Sequence, residues 1–229
     1  MMRWLATLPR RRLVVVECGA GEAELCRFLS EYFKLAIATD VNPPPSVFPV
    51  AAKDRISYIK STAENLPVPS DSVDMVVSMQ ALHHFDVARH LAEAHRVLTP
   101  GGIFAALAWG EIALPGNVKD ACQEFIDLAA PFWEPERDWV AAGYPGLAFD
   151  GESVELPLAS MNKTFGSGDL IRTLKTWSAY RRGKETCPDA FDAALEKLRK
   201  LGGSEFEVSW PIVGRIFRKH AILAHGRQI

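Results

Sequence analysis

Between Leu13 and Asp40 the chain passes through a β-branched run, a glycine pair, an amphipathic stretch and a second apolar run, an order that few folds can accommodate. Leu13-Val14-Val15-Val16 is continuously apolar, the pattern of a strand buried on both faces in a parallel sheet. It ends at Gly19-Ala20-Gly21. Beyond Glu22, Leu25, Phe28, Leu29, Tyr32 and Phe33 recur three and four apart, which predicts one apolar helix face. Leu35-Ala36-Ile37-Ala38-Thr39 supplies a second strand ending at Asp40, and a βαβ unit is complete.

The pattern continues, with one interruption. Pro43-Pro44-Pro45 blocks the first turn of a second crossover helix and leaves residues 47–53 for a short or irregular crossover. Residues 56–59, 73–78 and 103–109 read as a third, fourth and fifth strand. Val87, Leu91, Ala94, Val97 and Leu98 mark a helix stopped by Thr99-Pro100-Gly101-Gly102. Alternating strands and helices indicate an α/β, doubly wound, mostly parallel sheet with helices on both faces. Further on, residues 117–128 are helix-like, 153–165 suit an extended strand, and 170–181 and 190–201 read as helical segments. A last strand covers 208–217, where Pro211 predicts an edge position or a bend.

At 229 residues the chain suits a single domain, 1–229, with a core over 13–110, a helical and aromatic elaboration over 111–205 and a final strand over 206–220. Its 26 basic and 28 acidic residues nearly cancel, so no bulk field favours nucleic acid or anionic lipid, and a small-molecule partner fits better. Cys18, Cys26, Cys122 and Cys187 have neither zinc-site spacing nor histidine companions, so neither a metal site nor a disulfide framework is expected. No apolar run approaches the roughly 20 residues of a membrane span, and the apolar part before Arg10-Arg11-Arg12 is too short for a signal-peptide core. A cytoplasmic location is the expectation. Oligomeric state is not legible.

The chemistry concentrates in Glu17-Cys18-Gly19-Ala20-Gly21-Glu22-Ala23, between the first strand and the first helix, where open α/β sheets bind ligands. A dinucleotide fingerprint asks for glycine or alanine three residues after the second glycine, and Glu24 stands there. Asp40 closes the second strand about twenty residues on, where a carboxylate can accept hydrogen bonds from a ribose. Taken with Thr62-Ala63-Glu64-Asn65-Leu66-Pro67, Gln80-Ala81-Leu82-His83-His84-Phe85 and Arg96-Val97-Leu98-Thr99-Pro100-Gly101-Gly102, this stretch resembles the class I S-adenosylmethionine-dependent methyltransferases. Thr176-Trp177-Ser178-Ala179-Tyr180 and Trp210-Pro211 are similar to the subgroup that includes the trans-aconitate methyltransferases.

That resemblance implies a Rossmann-like, seven-stranded sheet with a helical C-terminal elaboration and S-adenosylmethionine as cofactor, leaving as S-adenosylhomocysteine. It places Glu17, Gly19, Ala20, Gly21, Asp40, Val41 and Asn42 around the cofactor, Ala63 and Glu64 beside the adenine, and Met79, Gln80 and His83 on the methionine side. Two departures stand out: Ala23 replaces a third glycine, and only Met1 to Arg12 precede the first strand where relatives carry a longer segment.

Methyl transfer from a sulfonium is an in-line displacement, so holding the acceptor behind the methyl group supplies most of the catalysis. For a hydroxyl or amine acceptor, His83 or His84 is the candidate base, set against roles as pocket wall for His83 and helix-start residue for His84. Trp109, Glu111, Trp133, Tyr144 and Trp177 are candidates for an aromatic acceptor chamber, with Arg172, Arg181 and Arg182 available to an acidic substrate; the competing reading is core packing and solvated surface. Small-molecule methylation leads. The alternatives are a non-catalytic binding or scaffold protein of the same fold and an NAD-dependent oxidoreductase.

Overall fold

The computed structural model describes residues 1–43, 55–202 and 205–221. The chain divides into two compact units, one of Met1–Ala108, Ala142–Pro157 and Val213–Ile229, the other of Trp109–Ala141 and Leu158–Ile212.

The first unit opens with α1 (Met2–Leu5), β1 (Val14–Cys18), α2 (Glu24–Leu29), β2 (Leu35–Asp40), β3 (Ile56–Lys60), β4 (Val73–Met79), α3 (Val87–Val97) and β5 (Leu98–Trp109). Of the later strands, β6 (Gly151–Val154) belongs to the first unit, β7 (Ser160–Phe165) to the second, and β8 (Phe206–Lys219) has residues in each. The strand order is β3-β2-β1-β4-β5-β8-β6, with β7 off this path on β8. β1 to β5 pair in parallel, whereas β8 runs antiparallel to β6 and β7. This is the expected Rossmann-like α/β sheet, except that it has eight strands in place of the seven expected, because β7 adds to β8 off the main path. Val15 of β1 lies between Ala36 of β2 and Met75 of β4, so the winding reverses between β1 and β4, the point beyond whose carboxyl ends open α/β sheets take up ligands.

Strand residues alternate between two buried faces. Val15, Ala36, Ala38, Met75, Val77, Ile103, Ala105 and Leu107 join Leu29, Phe33 and Leu5 in one apolar cluster. Val16, Val76, Phe104 and Ala106, in between, are also fully buried. Burial on both sides is why these strands read as unbroken apolar runs.

Several boundaries differ from the sequence expectation. The segment 153–165 is two strands, β6 pairing with residues 216–219 of β8 and β7 with residues 206–211. Pro157, which lacks a ladder N–H, lies in the gap between them. β8 itself runs unbroken through Pro211, whose carbonyl accepts the Gly110 N–H at 2.8 Å. The Thr99-Pro100-Gly101-Gly102 stop belongs to β5 as an irregularity, since the β4 register jumps from Val73↔Leu98 to Met75↔Ile103. The crossover expected over residues 47–53 lies outside the described residues.

The second unit is mainly helical, with α4 (Gly116–Ala129), α5 (Arg137–Ala141), α6 (Ser167–Thr176), α7 (Ser178–Thr186) and α8 (Pro188–Arg199). The helical segment expected over 170–181 is broken at Trp177, whose φ −62 and ψ 134 are extended. Val118, Cys122 and Phe125 of α4 pack with Leu170 and Leu174 of α6 and Phe191, Leu195 and Leu198 of α8. Gly183 lets α7 sit close, because a Cβ there would lie 2.5 Å from the Phe191 ring and 2.8 Å from the Phe132 ring.

Candidate functional site

The loop from Glu17 to Ala23 takes its shape from left-handed backbone. Gly19 and Gly21 have φ of 67 and 48, and Ala23 follows at 55. A Cβ on Gly19 would lie 2.5 Å from the Ala81 Cβ, so this glycine permits contact between the loop and the segment after β4. Among the described residues, a Cβ on Gly21 meets nothing within 4 Å. Gly19 therefore serves packing, and Gly21 leaves open space beside the backbone. Ala20 donates its N–H to the Thr39 carbonyl at 3.0 Å, which ties the loop to β2. Ala23, in the place of a third glycine, is fully buried as the N-cap of α2.

Asp40 lies across from this loop. Its Oδ2 accepts the Gly21 N–H at 3.0 Å and its Oδ1 accepts the Asn42 N–H at 2.8 Å. A carboxylate offers about four acceptor directions, so both oxygens keep capacity for further donors. The Tyr58 hydroxyl donates to the Gly21 carbonyl at 2.8 Å and completes the brace around that glycine. Nothing in the sequence pattern singled out Tyr58, which reads there as an ordinary strand aromatic. Beside Asp40, Asn42 is exposed and Val41 is 49% exposed, one of two large apolar side chains so open among the described residues.

Glu17 faces inward. Its side chain is 4% exposed, and its Oε2 accepts the Cys26 N–H in the first turn of α2 at 2.7 Å. The start of the helix is thus already capped by a carboxyl group, in the place where a dinucleotide would put its pyrophosphate. Burial raises the Glu17 pKa to about 8 against the lowering effect of that hydrogen bond, and Asp40 and Glu24 push it up further. A folded pKa above the unfolded one adds stability that is complete below about pH 4.5 and lost as pH rises through about 8. Glu17→Gln keeps an acceptor for Cys26 without the charge. We expect it to overtake the parent protein in stability above pH 8, by on the order of 2–4 kcal/mol at pH 9. Urea midpoints of both proteins between pH 5 and 9 measure this, and parallel curves would contradict the assignment.

A second wall comes from the ends of β3 and β4. Ala63 is 6% exposed and Glu64 half-buried, with Glu64 Oε1 accepting the Asp86 N–H at 2.9 Å. Met79 and Gln80 are half-buried where β4 ends; Gln80 takes a left-handed φ of 57 and donates its N–H to the Leu107 carbonyl at 2.9 Å. His83 is half-buried and His84 exposed, in a short 3-10 turn with ring centroids 3.9 Å apart. The residues expected around a cofactor therefore all fall in the first unit, at the carboxyl ends of β1, β2 and β4 and on the segments that follow β1, β2, β3 and β4.

The acceptor candidates divide. In the second unit Trp133 and Trp177 stand 5.2 Å apart between centroids. The Arg137 guanidinium lies 4.6 Å over the Trp133 ring and bonds Glu111 at 2.7 Å. Next to them Glu134 pairs with Arg182 at 2.6 Å and accepts the Ser178 hydroxyl at 2.9 Å. Burial alone would raise the Glu134 pKa, but the Ser178 and Arg182 bonds hold it below the ordinary value. Trp109 is half-buried at the end of β5. Tyr144 falls in the first unit, fully buried at a left-handed turn of φ 61. Arg172 is paired with Asp169, and Arg181 is exposed. Arg137 escaped the sequence reading, although Trp133 four residues before it was a visible signal.

Among the described residues no cluster of three or more histidine, cysteine or carboxylate side chains suits a metal ion, and no helix is long and apolar enough to cross a membrane.

Residues 16–106 match the family model of a methyltransferase domain. Over 214 residues the chain is 24% identical to a protein of Dictyostelium discoideum named as a methyltransferase, covering 88% of this chain and 81% of that one. It is 34% identical over 151 residues to a Mycobacterium tuberculosis protein named as an uncharacterized methyltransferase, covering 60% of each. Among solved structures it superposes at a TM-score of 0.86 on a protein of Anaeromyxobacter dehalogenans titled a type II methyltransferase, with 29% identity over 96% of this chain and 95% of the other.

Proposed function

We propose that this chain, whose residues 16–106 match a methyltransferase domain, transfers a methyl group from S-adenosylmethionine to a small organic acceptor. The observation that carries this reading is the arrangement around Gly21: an open face on the glycine, and Asp40 oriented by two backbone N–H groups with lone pairs to spare. No lysine or arginine stands between Leu13 and Glu24, while Glu22 and Glu24 are both exposed. That charge suits a cationic sulfonium nucleoside without phosphate and opposes a pyrophosphate.

When bound, S-adenosylmethionine supplies a methyl group on a positively charged sulfur. The chain binds, orients and excludes water. Asp40 accepts the ribose hydroxyls, with Val41 and Asn42 alongside. Ala63 and Glu64 border the purine. Glu17, Gly19, Ala20, Gly21, Met79, Gln80 and His83 enclose the methionine portion. Displacement at carbon needs alignment more than any obligatory catalytic side chain. For a hydroxyl or amine acceptor, His83 or His84 receives the departing proton. Trp109, Glu111, Trp133 and Trp177 are assigned to the acceptor side. The likeness to the trans-aconitate subgroup makes small organic acids the first acceptors to try.

Isothermal titration with S-adenosylmethionine, S-adenosylhomocysteine and NAD tests the reading. Micromolar binding of the first two alone is expected. NAD binding would turn the assignment to an oxidoreductase, and no binding by a folded sample would turn it to a non-catalytic protein of this fold.

A further inference from the structure

The segment joining β3 to β4 has no helix or strand of its own, yet it carries Ala63 and Glu64. Several of its backbone groups are bonded by side chains of α3. His90 Nδ1 lies 2.9 Å from the Ala63 carbonyl. Glu93 Oε1 accepts the Leu66 N–H at 2.6 Å. Arg96 Nη2 donates to the carbonyls of Leu66 and Val68 at 3.2 and 3.1 Å, and its Nη1 donates to the Ser70 hydroxyl at 3.2 Å. These three residues are spaced three apart, so successive turns of α3 present them along one side. Arg96 also bonds both oxygens of Glu93 at 2.7 Å, which fixes each partner for its backbone contacts. The tie is reciprocal, because Glu64 accepts the N–H of Asp86, the N-cap of α3.

His90 is the member without an obvious structural excuse. It is fully buried, packed between the Phe85 and Phe104 rings at 4.9 and 5.7 Å, and among the described residues its Nε2 has no hydrogen-bond partner. A phenylalanine or leucine would fill such a place without the cost of a buried polar atom. What imidazole adds there is the Nδ1–H bond to Ala63, the residue next to Glu64.

We infer that His90, Glu93 and Arg96 are positioning residues that hold the Ala63–Glu64 edge in register for a purine bearing an exocyclic amino group. This rests on the reading of the chain as a binder of S-adenosylmethionine. The chemistry follows from Glu64: with one oxygen on Asp86, its carboxylate still accepts from an amino group and repels a carbonyl in the same place. The clamp itself makes no ligand contact. It sets where that carboxylate stands.

The experiment compares the parent protein with His90→Leu, which removes the donor, and His90→Asn, whose amide nitrogen occupies nearly the Nδ1 position. Two quantities are read on folded samples: amide hydrogen exchange over residues 62–70 without ligand, and affinities for S-adenosylhomocysteine and its 6-oxo purine counterpart. His90→Leu is expected to speed exchange over 62–70 about tenfold relative to β1 and β4, and to lose most of the preference for the 6-amino ligand. His90→Asn is expected to restore both to within about threefold. A general loss of stability would weaken both ligands alike, so the preference separates positioning from bulk folding. Unchanged exchange over 62–70 in His90→Leu overturns the clamp, and faster exchange with the preference intact overturns its role in recognition. A parent protein that binds neither ligand overturns the proposed function and the recognition role, and the exchange data still decide whether the clamp exists.

Discussion

Gly19→Ala is expected to lower stability by about 2–5 kcal/mol and Tm by about 5–15 °C. Two costs add. The added Cβ would stand 2.5 Å from the Ala81 Cβ, a contact between backbone-anchored atoms with no flexible side chain to give way. The φ of 67 is also unfavourable for any residue with a Cβ, by roughly 1–2 kcal/mol. Gly21→Ala separates these costs, because its φ of 48 carries the backbone penalty while its Cβ meets nothing within 4 Å among the described residues. We expect Gly21→Ala to lose only about 1 kcal/mol in stability. Thermal unfolding of the two variants side by side is the measurement, and equal midpoints would remove the packing role assigned to Gly19.

Asp40→Ala is expected to weaken binding of S-adenosylmethionine and S-adenosylhomocysteine by about 10- to 100-fold, the worth of one to two charge-assisted hydrogen bonds. The variant loses the ribose acceptor, and it also frees the Gly21 and Asn42 N–H groups that Asp40 now holds at 3.0 and 2.8 Å. Asp40→Asn retains one acceptor oxygen and no charge, so an intermediate affinity is expected. Calorimetry on folded protein reads all three. A folded Asp40→Ala that binds as tightly as the parent would remove Asp40 from the site.

The two variants probe features of different legibility. The glycine pair and Asp40 were visible because a strand, a tight loop and a helix within forty residues leave recurrent local marks: β-branched residues, glycine at left-handed positions and a periodic apolar face. Gly19 and Gly21 look alike in the sequence. Only the neighbour supplied by Ala81, far along the chain, gives one a packing duty and leaves the other facing open space. Glu17 reads in the sequence as a possible ligand contact, and only the structure adds that its side chain is buried and accepts the Cys26 N–H in the first turn of α2.

The second half was read less well for the same reason. The helical period over 170–181 was genuine, yet the backbone turns extended at Trp177, and the long extended stretch over 153–165 divides around Pro157 into partners for two parts of β8. Tyr144 and Trp133 are both aromatic residues in connecting segments, and nothing local distinguishes the fully buried one from the one that stacks beneath Arg137.

By itself the sequence determined the class of sheet, the order in which its parallel strands and helices appear, and the loops on which a nucleoside site is expected. These depend on backbone conformation and on which face of each element is apolar, properties written into neighbouring residues. The tertiary structure decided which polar groups meet: Tyr58 with Gly21, Asp40 with the N–H groups it holds, and α3 with the loop after β3. Such contacts join residues tens of positions apart, and their strength depends on burial and distance, which no local pattern encodes.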